Sequence, residues 1–351
     1  MIRQPGVLER WGDLLPITPA TPALSLHEGS TPLIDAPRLA QWVGVDTLWL
    51  KVEGANPTGS FKDRGMVVAV AKAIENGAQV VLCASTGNTG ASAAAYAARA
   101  GILAVALLPG GKVAQGKVAQ ALMYGARVVV MDANFDVALD IARDAATRYP
   151  LALVNSVNPD RLAGQMTAAY EICETLGDAP DLLALPVGNG GNITAYGRGF
   201  TRWLELRRVS RRPRLLGAQA AGAAPFVLGH PVETPETIAT AIRIGRPATW
   251  EPALEAVRDS GGMLRAVTDA EILDAYHSIA RLEGIFCEPA SAAGVAALRG
   301  SVAAGLVGAV EKCVAVLTGN GLKDPATAVG EGSPEERVDA SVEALAHLLG
   351  L

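Results

Sequence analysis

The sequence predicts an α/β protein with mostly parallel sheet flanked by helices, and two observations carry that prediction. Short apolar runs recur without the alternation of a half-exposed strand, and alanine-rich or amphipathic segments separate them. Strands that are apolar on both faces need helices on both faces, which is the parallel arrangement. In order, Val80–Cys83 reads as a strand, and a Gly/Thr/Asn turn follows it. Ala91–Gly101 reads as an alanine-rich helix that Gly101 can end. Ile102–Leu108 is the next strand, stopped by Pro109 and two glycines. Lys117–Tyr124 is predicted helical, Arg127–Met131 a strand, Phe135–Tyr149 a longer amphipathic helix and Leu151–Val154 a strand. A helix over Arg161–Leu176 then leads to the strand Leu182–Val187, and another helix starts at Ile193. Leu215–Gln219, Ile285–Phe286 and Cys313–Leu317 are predicted as further short strands. Thr268–Glu283 opens on Thr-Asp-Ala-Glu, a helix-start signature. Gly330–Arg337 is polar and reads as a surface link to one last helix.

Composition bounds the function. The 351 residues carry Lys+Arg 30 against Asp+Glu 35, a formal net charge of −5, with 50% hydrophobic and 19% charged residues. That is ample for a core and poor for disorder. At roughly 150 residues per domain, the length suits two domains or one large α/β unit. The mildly acidic balance sets nucleic acid aside, since phosphate binding wants a basic surface. The longest apolar runs, Ala91–Ala98 and Ile102–Leu108, fall short of the ~18 residues of a membrane span. The N-terminal stretch has no apolar core of signal-peptide length. Cys83, Cys173, Cys287 and Cys313 lie far apart with no CxxC pair, which predicts buried thiols in a cytoplasmic protein. The four histidines are equally scattered, so no metal centre is expected.

Glycine marks where the chemistry sits. The chain has 38 glycines, and the excess over an ordinary share is clustered in GSFKDRG, STGNTG, GNGGN and TGNG, loops where backbone can approach a ligand. Lys62 falls beside a Gly/Ser turn where a helix begins near Asp63. Positive helix-terminal N–H groups there disfavour the ammonium form, as an amine nucleophile for Schiff-base chemistry requires. A solvated loop lysine fits the spacing equally. Ser85 to Thr89 bring hydroxyls, an amide and free N–H groups to one helix start, which suits a carboxylate. An ordinary cap needs only one such residue. Gly188, Asn189, Gly190, Gly191 and Asn192 form a nest for a phosphate, without a Walker lysine or GxGxxG spacing. Thr318 stands directly after an apolar strand. A lysine, a phosphate nest, a carboxylate turn and a strand-end hydroxyl are the parts of a pyridoxal phosphate site.

SFKDRG, STGNTG, NSVNP with Arg161 and Gly164-Gln165 beyond it, GNGGN and TGNGLKDP, in that order, resemble the threonine synthase family. This family belongs to the fold-type II (tryptophan synthase β-like) pyridoxal phosphate enzymes, and the likeness runs from Gly29 to about Thr327. The resemblance implies a small domain over 54–153, inserted between the two parts of a large domain, 1–53 and 154–351. Pyridoxal 5'-phosphate would lie in the cleft between them. Lys62 would be the catalytic Schiff-base lysine, and Asn88 the partner of the cofactor's 3'-oxygen. The backbone of Gly188 to Asn192 would hold the cofactor phosphate, and Thr318 would face the pyridine nitrogen. Ser85, Thr86 and Thr89 would take the substrate's α-carboxylate, and Asn155, Ser156 and Arg161 its phosphate. Pairing of Arg161 with a surface carboxylate is the other reading of that arginine. The implied reaction converts O-phospho-L-homoserine and water to L-threonine and phosphate, by γ-elimination and β-hydration. A threonine/serine dehydratase is the alternative within the same fold. The resemblance also implies a homodimer without S-adenosylmethionine control. Two positions depart from the family's pattern: Asn320 stands where His is more usual, and Gly190 where Ala is frequent.

Overall fold

The structure is a computed structural model and describes residues 4–84, 87–109, 115–132, 135–155, 158–331 and 336–351. Its strands are β1 (Leu33–Asp35), β2 (Thr47–Val52), β3 (Val80–Cys83), β4 (Leu103–Pro109), β5 (Arg127–Met131), β6 (Leu151–Leu153), β7 (Leu182–Pro186), β8 (Arg214–Ala220), β9 (Met263–Val267) and β10 (Lys312–Leu317). They form two sheets. The larger has the order β1-β2-β10-β7-β8-β9 and is parallel except for β1 on β2. The smaller, β5-β4-β3-β6, is parallel throughout.

The two-sided burial that predicts this class is visible residue by residue. Val314 and Val316 of β10, with Leu183 and Leu185 of β7, enter one apolar cluster with Tyr170, Ile193 and Phe200. Their neighbours Cys313, Ala315 and Leu317, with Leu182 and Ala184, enter a second cluster with Ile272, Val295 and Leu298. Successive side chains of a strand point to opposite faces, so one continuous apolar run feeds two cores. The four cysteines are buried free thiols. Among the described residues no helix is long and apolar enough to cross a membrane.

Several elements escape the sequence pattern for identifiable reasons. β2 carries Lys51 and β9 carries Arg265, charges that interrupt the apolar run. The helix Pro289–Ala303 packs against β7, β8 and β10 with ten successive residues, Pro289 to Leu298, all buried, so it shows no amphipathic period there. Ile285–Phe286 is not a strand; only Cys287 bridges, to Asn320, and Phe286 is exposed. The last helix runs Val342–Leu349, and residues 332–335 of the predicted polar link lie outside the described residues.

One helix crossing positions the site. The helix Lys62–Glu75 lies across Pro159–Leu176 at a point where both present glycine. A Cβ on Gly65 would sit 2.5 Å from the Arg161 carbonyl oxygen, and one on Gly164 would sit 2.1 Å from that of Arg64. Only bare backbone permits this approach, and it brings the first turns of the two helices together.

Candidate active site

Those two first turns carry Lys62 and Arg161, and both line a cavity of about 430 Å³. Its walls include Asn88, Thr89, Gly188 to Asn192 and Thr318, residues that follow strands of both sheets. The volume is in the range of small-molecule and cofactor sites. Four sequence-predicted segments, more than two hundred residues apart at their extremes, thus converge on one space.

Lys62 opens its helix and is held from behind. The Phe61 N–H donates to the Thr318 carbonyl at 3.0 Å, and the Asn320 N–H to the Gly59 carbonyl at 2.9 Å. Asp63, fully buried, accepts from the Thr58 N–H and from the hydroxyls of Thr58 and Ser92 at 2.6–2.7 Å. Burial pushes the Asp63 carboxyl up to about 6 against those bonds. The Lys62 ammonium lies 4.1 Å over the Phe61 ring. Burial, then the Arg161 charge, brings its pKa down to about 7, with Glu288 acting the other way. A lysine so placed offers a neutral amine near neutral pH.

Arg161 has no exposed surface. Its Nη1 donates to the Val154 carbonyl at 3.1 Å, while Nε and Nη2 have no partner among the described residues. Burial lowers its pKa to about 10. The surface pairing weighed for this arginine is not what the fold makes: it points inward. Asn155 is used differently from the sequence reading. Its Oδ1 accepts from the Ala84 N–H at 3.0 Å and its Nδ2 donates to the Ala84 carbonyl at 3.4 Å, so its amide pins the end of β3. Ser85, Thr86 and Ser156 lie outside the described residues.

The phosphate nest has a local cause in glycine. Gly190 has φ +85° at the start of the helix Gly191–Glu205, and a Cβ there would lie 2.7 Å from the Thr249 carbonyl oxygen. The departure from alanine at this position therefore suits this backbone. The first N–H groups of that helix have no intrahelical acceptor, and the buried Asn192 Nδ2 beside them has no partner among the described residues. Asn189 also lines the cavity, and its Oδ1 accepts from the Ala248 N–H at 3.2 Å. Thr318 is buried, with its hydroxyl 3.0 Å from that of Ser291. Asn320 caps the turn Gly321–Lys323 through its side chain.

Two cavity residues were not singled out from sequence. Glu288 is the cavity's buried carboxylate, in the segment Cys287-Glu-Pro-Ala-Ser291. Burial raises its pKa, opposed by the Asn88 bond, Lys323 and Lys62. A polar residue followed by Pro before an apolar helix was the signal that could have found it. Lys323, half-buried, donates to Gln120 Oε1 at 2.5 Å; burial lowers its pKa. It lies inside the quoted TGNGLKDP motif, where it had no role.

The unpartnered Asn192 amide, the free helix start and the empty guanidinium nitrogens of Arg161 make this an anion site, and Lys62 adds an amine to it. Those parts fit pyridoxal phosphate together with a second anion. The comparisons agree. The model of the family described as "Pyridoxal-phosphate dependent enzyme" matches residues 24–319. The chain belongs to that family, and it is pyridoxal-phosphate dependent. Relatives named threonine synthase share 55% identity over 348 residues in Mycobacterium leprae (strain TN), covering 99% of this chain and 96% of that one. In Synechocystis sp. the figures are 56% over 325 residues, covering 92% and 85%. Within the family the chain therefore falls among the threonine synthases. Solved structures support the fold alone: maize serine racemase has TM-score 0.72 at 24% identity, covering 86% of this chain and 91% of that one. The processed form of a threonine deaminase from Solanum lycopersicum has TM-score 0.70 at 23% identity, covering 84% and 80%.

Proposed function

We propose that this protein is a threonine synthase that converts O-phospho-L-homoserine and water to L-threonine and phosphate. The observation that carries the reading is Arg161: a fully buried guanidinium whose Nε and Nη2 have no partner among the described residues, lining the same cavity as Lys62. A buried cation without a partner is costly, and an anionic ligand offsets that cost. The cofactor's own phosphate has the nest at Gly188–Asn192, so the arginine is free for a second phosphate, that of the substrate. Its planar fork suits a phosphate. The family's threonine synthase relatives favour the same reading over a dehydratase.

When bound, pyridoxal phosphate supplies an electron sink for carbanion chemistry at the substrate. Lys62 would hold the cofactor, and its neutral amine would move protons at the substrate's Cα and Cβ. Asn88 would meet the cofactor's 3'-oxygen, and Thr318 would give the pyridine nitrogen a neutral partner. Thr89, with Ser85 and Thr86, grips the α-carboxylate, and Ser156 joins Arg161 at the substrate phosphate. Asn155 serves that end by holding the Ala84 turn. We divide the chain into a small unit, 54–153, and a large one, 1–53 with 154–351; the two separate sheets support this division. Gripping substrate would close the cleft between them and exclude water from the early steps. The reading extends to a cytoplasmic homodimer acting on a small molecule, and the buried free thiols support the compartment.

The test supplies phosphohomoserine to the purified holoenzyme and measures threonine, 2-oxobutyrate and phosphate separately. Threonine and phosphate in equal amounts are expected. Mainly 2-oxobutyrate, with ammonia and phosphate, would mean that water is not added at Cβ and would overturn the synthase reading, and no phosphate release would remove the substrate.

A further inference from the structure

Glu288 has no part in the reading above, yet its carboxylate lines the cavity and meets Asn88 there. Both carboxylate oxygens accept from the Asn88 Nδ2, at 3.2 and 3.1 Å. We infer that Glu288 is a positioning residue that presets the Asn88 amide for the cofactor. The inference rests on Asn88 being a cofactor contact.

The hydrogen-bond inventory shows what the pairing does. A side-chain amide has one donor end and one acceptor end, and the two ends look alike in shape. Facing a carboxylate, an amide turns its nitrogen inward, because its oxygen would find no donor there. One Asn88 N–H is then spent on Glu288. The other N–H and the amide oxygen keep a single defined direction, so Asn88 binds without first choosing an orientation.

The packing shows which partner holds the other. Glu288 precedes Pro289 at the start of the Pro289–Ala303 helix, whose first ten residues are all buried. Its N–H donates to the Gly319 carbonyl at 3.0 Å, and its carbonyl accepts the Ser291 N–H at 2.9 Å. A Cβ on Gly319 would lie 2.5 Å from the Glu288 Cδ, so that backbone is bare where the carboxylate rests. Asn88 instead opens its helix half-buried, directly after the exposed Gly87. The anchored carboxylate therefore sets the amide.

A purely structural duty would be a poor reason for a carboxyl group here. Among the described residues Glu288 makes no ion pair, and the bond from Asn88 is its side chain's hydrogen bond there. An apolar residue of similar size would fill the space at lower cost.

The experiment is a double-mutant cycle read by cofactor affinity and not by turnover. Apoproteins of wild type, Glu288→Ala, Glu288→Gln, Asn88→Ala and the double alanine variant are titrated with pyridoxal phosphate and followed by absorbance. Circular dichroism melting of each apoprotein checks folding, and Glu288→Met runs the same cycle should the alanine variant not fold. Glu288→Ala is expected to weaken binding about tenfold or more. The double variant is expected to bind within about twofold of Asn88→Ala alone. Glu288→Gln keeps an acceptor for the amide and is expected within about threefold of wild type. Additive losses, or a Glu288→Gln chain as weak as the alanine one, would overturn the inference. Wild-type affinity in Glu288→Ala beside a loss in Asn88→Ala overturns it while sparing the Asn88 assignment. Wild-type affinity in Asn88→Ala removes both.

Discussion

Arg64 and Arg161 sit on the two sides of one helix crossing, and neither has exposed surface. Their surroundings are opposite. Arg64 bonds Glu53 through Nε at 2.7 Å and Nη2 at 2.8 Å, and Glu171 through Nη1 at 2.7 Å and Nη2 at 2.6 Å. Lys51 adds a 2.7 Å pair to Glu171. Burial acts to lower the Arg64 pKa, but the two carboxylates overcome it and hold it well above its ordinary value. Burial likewise acts to raise that of Glu171, and Arg64 and Lys51 hold it well below the usual range. Among the described residues, the Arg161 guanidinium meets one carbonyl and no carboxylate. A cation whose donors are all answered by protein belongs to the frame, and one left unanswered holds binding capacity in reserve.

The largest effect expected from breaking this contrast is on folding. Arg64→Ala leaves Glu53 and Glu171 buried without their main partner, and unfolding by denaturant should show a loss of about 3–5 kcal/mol. An unchanged midpoint would mean that the cluster is hydrated and not part of the frame.

Arg161→Ala reverses the pattern. It strands no anion, so stability should stay within about 1 kcal/mol of wild type. Turnover of phosphohomoserine should fall by about 2–5 kcal/mol of transition-state stabilisation, with a larger share of 2-oxobutyrate. Equal kcat/KM and product ratio would place the substrate phosphate elsewhere.

A smaller effect sharpens the same contrast through pH. The Lys62 amine, brought to about 7 by burial and Arg161, is charged below that value and neutral above it. The unfolded chain keeps an ordinary lysine, so it binds the extra proton from about pH 7 up to the ordinary lysine range. Folded stability from this group therefore rises with pH across that window. Cofactor uptake by the apoprotein, followed by stopped-flow absorbance, should rise with pH to a plateau above about 7. In Arg161→Ala the midpoint should move up, since a neighbouring cation is gone. A midpoint that stays put would show that Lys62 does not sense this arginine.

The smallest change is at Thr318, which meets a neutral hydroxyl and no charge. Thr318→Val should weaken cofactor affinity about fivefold, the worth of one neutral hydrogen bond. Wild-type affinity in the same titration would leave the hydroxyl a local structural role.

The strand-helix alternation, the parallel sheets and the loops that carry Lys62, Asn88, Gly188–Asn192 and Thr318 were legible in the sequence. Each is written in neighbouring residues: an apolar run, a glycine turn, a helix start. β2, β9 and the Pro289–Ala303 helix were not, because charges or all-round burial erase the local period. The use of each polar side chain was equally hidden. Nothing local separates Arg64, in SFKDRG, from Arg161, in NSVNPDR, and both read as polar residues at helix starts. Their difference arises because β2 delivers Glu53 and Lys51, and the Pro159–Leu176 helix delivers Glu171, to one side of the crossing only. Asn155 went to Ala84 and Glu288 to Asn88 for the same kind of reason, across 71 and 200 residues of chain. Hydrophobic periodicity and turn chemistry are local and so determine elements and motifs. Hydrogen-bond partners and buried charge depend on which elements pack together, and only the tertiary structure decides that.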